Sequence, residues 1–280
     1  MESVASFLFS PIRSDGGAGA AHSKLGRGCG TILGMMPEKI MLQLRAGLRK
    51  QRFGPPVTHV YDPLDYAWPV HADYLKRFGS GNREVLLLGM NPGPWGMVQT
   101  GVPFGDVAMV SGWLGLMGKI GAPVRIHPQR PVHGFSCRRG EISGSRLWGW
   151  ARQTFNTPER FFQRFFVLNY CPLCFFQSDG KNRTPDKLPA CEREPLFSAC
   201  DAALRAMAEF LRPGLVIGIG RFAESRARAA LDGLPVRIGS VTHPSGANPR
   251  AGRNWAGQMN AVLRMLGVHP DAQGDAPHEP

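Results

Sequence analysis

No apolar run in this 280-residue chain approaches the ~18–20 residues needed to cross a bilayer, so a membrane-spanning helix is not expected. Cysteine is scarce. Cys29, Cys137, Cys171, Cys174, Cys191 and Cys200 are too few for a disulfide scaffold at this length, and reduced thiols are the default. Acidic side chains are short as well: Asp and Glu total 21 against 33 Lys and Arg, a formal net charge of +12. The 43% of hydrophobic residues excludes a disordered chain. The charge leaves two readings open, a basic surface kept for solubility or a polyanionic partner such as nucleic acid.

Targeting and cofactor signatures are also missing. Met1-Glu2-Ser3-Val4-Ala5-Ser6-Phe7-Leu8-Phe9 has neither the basic n-region nor the apolar length of a signal peptide. No G-x-G-x-x-G opens into a helix, and no Gly-Lys-Ser/Thr completes a Walker A loop. Cys171 and Cys174 have C-x-x-C spacing, but Cys191 and Cys200 do not form a second such pair, so buried thiols are expected rather than a metal. No cofactor is implied.

What is present divides into three parts. Residues 1–50 read as an acid-poor, Gly-rich leader, poorly ordered apart from a short helix around Met41-Leu42-Gln43-Leu44-Arg45. Residues 51–268, entered through Phe53-Gly54-Pro55-Pro56, read as the folded body, and 269–280 as a disordered tail. Four apolar runs in the body read as buried strands: Val85–Leu88, Phe166–Leu168, Leu215–Ile219 and Val236–Val241. The first three are nearly continuous, which suits a parallel sheet covered on both faces. Helical patterns over Leu196–Leu211 and Arg221–Leu231 separate the later runs. The fold class is therefore α/β, layered around one main sheet, with ligands expected at the carboxyl ends of the strands.

The loops after these runs carry the polar groups. The first is Gly89-Met90-Asn91-Pro92-Gly93-Pro94-Trp95-Gly96-Met97, a stiff Pro-Gly turn in which Asn91 is the residue that a structural turn does not require. Phe104, between Pro103 and Gly105, is either a packing anchor or a platform for a base. Asn169, ending the second run, either caps a turn or offers a donor and an acceptor in one plane. His243 opens the basic, Gly-containing loop His243-Pro244-Ser245-Gly246-Ala247-Asn248-Pro249-Arg250-Ala251-Gly252-Arg253, where an imidazole over an anion and an ordinary histidine both fit.

Together these segments resemble the single-strand-selective monofunctional uracil-DNA glycosylases, the SMUG family of the uracil-DNA glycosylase superfamily. The match runs through Gly89-Met90-Asn91-Pro92-Gly93-Pro94, Gln99-Thr100-Gly101-Val102-Pro103-Phe104-Gly105, Arg130-Pro131-Val132 and Glu141-Ile142-Ser143-Gly144. It continues through Asn169 with Cys171-Pro172-Leu173, Gly180 with Asn182, Gly220-Arg221, His243-Pro244-Ser245 and Asn248-Pro249. The resemblance implies a three-layer α/β/α sandwich around a short parallel sheet. It also implies hydrolysis of the N-glycosidic bond of uracil, and of oxidised pyrimidines such as 5-hydroxymethyluracil, in DNA. By this resemblance Asn91 positions the attacking water and His243 stabilises the departing base. Phe104 stacks on that base, Asn169 reads its pairing edge, and Met90 and Gly93 line the pocket. Lys181, Asn182 and Arg183 belong to a second DNA-contacting element.

The sequence departs from the family in one place. Gly246-Ala247 stands where Pro-Arg is common, and Arg250 or Arg253 is left to fill the vacated duplex position. Weaker processing of duplex relative to single-stranded DNA than in family members that have the Arg is therefore expected. The resulting picture is a monomer acting on single- and double-stranded DNA, in the cytoplasm of a bacterial host or the nucleus of a eukaryotic one. A non-catalytic DNA-binding relative and a nucleotide-binding α/β enzyme remain as alternatives.

Overall fold

Four parallel strands form the central sheet: β2 (Val85–Gly89), β3 (Phe165–Asn169), β6 (Leu215–Ile219) and β7 (Arg237–Val241), in the spatial order β3-β2-β6-β7. The structure, a computed structural model, describes residues 36–246 and 254–270. Every residue of β2, β3 and β6 is buried, as continuous apolar runs in a sheet covered on both faces require. The four expected strands are these four, and the α/β fold is the one the sequence implied.

A second, antiparallel sheet, β1-β4-β5, joins β1 (Val57–Tyr61), β4 (Cys174–Gln177) and β5 (Asn182–Arg183). Its strands were not legible in the sequence, because two to five residues carry too little period to read.

The helices among the described residues are α1 (Pro37–Leu48), α2 (Pro63–Tyr66), α3 (Trp68–Phe78), α4 (Met97–Thr100) and α5 (Val107–Gly112), followed by α6 (Ile142–Phe155), α7 (Pro158–Arg164), α8 (Ala190–Leu211), α9 (Arg221–Ala230) and α10 (Trp255–Met265). The expected helix from Leu196 begins earlier, at Ala190, and runs through Pro195. Proline reads as a breaker; as the sixth residue of α8, Pro195 gives up the bond to the Cys191 carbonyl, a local cost outweighed by the burial of Leu196, Cys200, Leu204 and Leu211 along the helix.

The short helix expected in the leader is α1. Its face of Ile40, Met41, Leu44 and Leu48 is buried in the main core. The body therefore starts ahead of residue 51. The core is aromatic: Phe78 stacks on Phe162 at 4.1 Å between ring centroids, and Phe161 on Phe165 at 5.3 Å. Trp148 and Trp150 of α6 pack edge-on against Phe161. No helix among the described residues is long and apolar enough to cross a membrane.

Strand register sets the site. Gly89 pairs with Asn169 and Ile219 with Val241, so β2, β3, β6 and β7 all end along one edge. The polar loops singled out in the sequence leave from that edge.

Candidate active site

The floor of the site is Gly89. A Cβ placed there would lie 2.3 Å from Asn169 Oδ1 and 2.6 Å from Phe104 Cε2, so the two side chains converge over a position that only glycine leaves open. Asn169 is 8% exposed and Phe104 6%. The Asn169 amide nitrogen rests on the Met97 thioether at 3.3 Å, a weak acceptor that it can leave for a better one. Phe104 holds φ at +52°, unusual for a residue with a side chain, and its carbonyl accepts from Trp148 Nε1 at 2.9 Å and from the Asp106 amide at 2.8 Å.

His243 follows β7, and its ring centroid lies 6.2 Å from that of Phe104. The Ser245 amide donates to Nδ1 at 3.2 Å, which makes Nδ1 the acceptor and puts the ring proton on Nε2. Burial lowers its pKa from the ordinary 6.5, so the neutral ring is the resting form. Arg146 of α6 grips the loop by donating to the carbonyls of Pro244 at 2.9 Å and Ser245 at 3.3 Å. A cavity of about 1120 Å³ opens beside it, with Met90, Gly220, Thr242 and His243 among its walls.

Asn91 leaves the end of β2 and donates from Nδ2 to the Leu173 carbonyl at 3.2 Å, tying the loops after β2 and β3 together. The oxygen of its amide is then the end left to accept a hydrogen bond. Gln99, fully buried, donates to the carbonyls of Pro94 and Pro131 at 2.9 and 3.0 Å and accepts from the His133 amide at 2.8 Å. All of its hydrogen-bonding ends but one lone pair are used, which locks the Asn91 loop to the 130–133 segment.

Glu141 supports the same loop from behind. A Cβ at Gly93 or at Gly96 would lie 2.6 Å from its carboxylate, and one at Gly144 would lie 2.6 Å from Oε2. Oε2 accepts from the Gly144 amide at 3.1 Å, and the backbone N–H of Glu141 donates to Asp106 at 2.9 Å. Burial, reinforced by the Asp106 charge, pushes its pKa up from 4.5 to about 7. A carboxyl with a raised folded-state pKa stabilises the fold below its unfolded value, and that contribution is lost as pH rises through about 7. Glu141→Gln should therefore raise the melting temperature at pH 8 and leave it nearly unchanged at pH 5. Equal shifts at both pH values would contradict the assignment.

The structure thus gathers Met90, Asn91, Phe104, Asn169 and His243 at one strand edge, with Gly93 backed onto Glu141. Of the expected DNA-contacting residues, Asn182 donates to the Pro92 carbonyl at 3.3 Å, Lys181 pairs with Asp179 at 2.6 Å, and Arg183 turns back onto the Lys187 carbonyl. Asn248, Arg250 and Arg253 lie outside the described residues. Cys171, Cys174 and Cys200 are buried and Cys191 is exposed, all four as free thiols. Sequence reasoning gave no role to Glu141, Gln99 or Arg146. The glycines at 93, 96 and 144 were a signal for Glu141 only once a carboxylate was known to face them.

Residues 76–265 match the family model described as "Uracil DNA glycosylase superfamily", and the chain belongs to that superfamily. It is 47% identical over 231 residues, 82% of this chain and 83% of the other, to the single-strand selective monofunctional uracil-DNA glycosylase of Rattus norvegicus. The corresponding protein of Mus musculus gives the same figures, and that of Bos taurus is 46% identical over 82% of this chain and 85% of its own. Within the superfamily, the chain belongs to this single-strand selective monofunctional family. The crystal structure of Pedobacter heparinus SMUG2 matches with a TM-score of 0.59 at 17% identity, covering 84% of this chain and 99% of that one, a likeness of fold.

Proposed function

We propose that the chain is a monofunctional DNA glycosylase of base excision repair, which hydrolyses the N-glycosidic bond of uracil and of oxidised pyrimidines such as 5-hydroxymethyluracil and leaves an abasic site. One observation carries this reading: Phe104 and Asn169 converge over Gly89 with the neutral His243 ring alongside. A flipped uracil between them would stack on Phe104. Asn169 would accept from N3–H and donate to O4. Extrusion costs a few kcal/mol in duplex and least in single strands.

As the C1′–N1 bond breaks, its electron pair leaves with the base, giving an oxocarbenium-like sugar and a uracil anion. His243, donating from Nε2, stabilises that anion in a site shielded from water. Asn91 is too weak a base to deprotonate water but orients it through the amide oxygen, so bond breaking runs ahead of attack. The water delivers hydroxyl to C1′ and its proton ends on the base. No lysine occupies the loops after the four central strands, so no Schiff base forms and the strand is left intact.

The substrate is DNA, single- and double-stranded, handled by a monomer wherever the host keeps its DNA, in bacterial cytoplasm or eukaryotic nucleus. The test is release of free uracil from matched single-stranded and duplex oligonucleotides in the presence of chelator. The protein should act on both, faster on the single strand, and Asn91→Ala should lose most of the rate. Absence of free uracil would sink the function; an unchanged rate in Asn91→Ala would sink the site assignment.

A further inference from the structure

Trp95 lies four residues beyond Asn91, half-buried, with two guanidinium groups on its ring: Arg139 at 4.5 Å from the ring centroid and Arg130 at 5.6 Å. Arg130 is fixed by Nε donating to the Gly180 carbonyl at 2.7 Å and by Nη1 donating to the Gln129 carbonyl at 3.0 Å, which leaves Nη2 with no hydrogen bond among the described residues. Arg139 is exposed, and its guanidinium has neither an ion pair nor a hydrogen bond among the described residues; it lies over the indole. Elsewhere on the surface Arg228 and Arg205 pair with carboxylates one helical turn away. Two cations thus share one aromatic ring, and neither forms an ion pair among the described residues.

That arrangement fits a polyanion with regularly spaced charges. A guanidinium stacked on indole has already lost much of its rotamer freedom, and its in-plane N–H groups remain free for bidentate contact with phosphate. The span from Asn91 to Trp95 is at most about 14 Å of extended chain, so the ring lies within a few nucleotides of the reacting sugar. The patch is continuous with the 179–183 turn through the Arg130–Gly180 bond, and the Asn182–Pro92 bond ties that turn to the Asn91 loop. An aromatic face joined to free cations is also how single-stranded nucleic acid is held without sequence readout.

We propose that Trp95, Arg130 and Arg139 form a landing surface for the single strand flanking the flipped nucleotide, the two guanidinium groups taking its phosphates. The proposal rests on the reading of this chain as a DNA glycosylase and adds a binding surface that the resemblance did not supply.

The test is fluorescence anisotropy on uracil-free single-stranded oligonucleotides, one with long flanks and one trimmed to the immediate neighbours of the target position, with uracil release measured separately. For the long strand, the Arg130→Gln/Arg139→Gln double variant should bind on the order of tenfold more weakly at low salt. Its salt slope should fall by about 1.4, from two lost contacts at ~0.7 each. Trimming the flanks should weaken the parent protein and change the double variant little. Trp95→Leu, which keeps both charges, should show a smaller loss of the same kind. Unchanged affinity and slope in an enzyme that still releases uracil would overturn the surface alone. A fall in kcat with unaltered DNA affinity would also overturn it, because the loop's shape would then be what was lost. A parent protein that neither binds the strand nor releases uracil would overturn the glycosylase reading beneath it.

Discussion

Replacing His243 by alanine is expected to lower uracil release by about 10²–10³-fold with DNA affinity close to that of the parent, the range found when one donor to a developing oxyanion is removed. In the proposed mechanism the charge it meets exists only as the glycosidic bond breaks, so the loss should fall on kcat and not on binding. The geometry also fixes which form of the ring acts. With Nδ1 accepting from the Ser245 amide, protonating the ring would break that bond and disturb the loop that Arg146 clamps. Because burial lowers the pKa from 6.5, the neutral donor persists into mildly acidic solution, and the rate should fall only at pH below that ordinary value. Single-turnover rates across pH on saturating single-stranded substrate measure both effects. A His243→Ala variant that keeps its rate but loses DNA would make this residue a binding contact instead.

Gly89→Ala is expected to cost nearly as much activity, about 100-fold, by adding one methyl group. The new Cβ would overlap Asn169 Oδ1 and the Phe104 ring together, and β2, paired on both sides, cannot retreat. Either the Phe104 ring or the Asn169 amide must move, and a displacement near 1 Å in such a site costs on the order of 10² in rate. The fold should survive, since overpacking of this kind costs about 1–3 kcal/mol. A folded variant with a modestly lower melting temperature and a collapsed kcat/KM is the expected result. Parental activity would show that the two side chains do not share this floor.

Both predictions draw on residues legible in the sequence, for a physical reason. Strands buried on both faces must be apolar without interruption, so Asn169, ending Phe166–Leu168, stood out as a polar group, whereas His243 follows the interrupted run Val236–Val241 and was marked only by its basic, Gly-containing loop. Asn91 stood out as Asn169 did, after Val85–Leu88. The parts that were hidden depend on contacts between distant segments. Glu141 reads as an ordinary N-cap, and nothing local says that its carboxylate also faces Gly93 and Gly96. Gln99 reads as one polar residue in a short helix, although it joins two loops more than thirty residues apart. The β1-β4-β5 sheet was invisible because its strands are stabilised by pairing and not by period. The leader reading extended too far because α1 is amphipathic but brief, and its buried face is recognisable only with α8 beside it.

The shared edge of the four parallel strands has a consequence for how the molecule fails. Asn91, Asn169 and His243 come from separate stretches of chain, yet each lies at or within two residues of the end of a strand of the same hydrogen-bonded ladder, and Phe104 leans over that ladder at Gly89. β2, β3 and β6 are buried throughout, whereas β7, which leads to His243, is partly exposed. The arrangement over Gly89 is thus as durable as the buried core beneath it, and the His243 end is where local opening would begin.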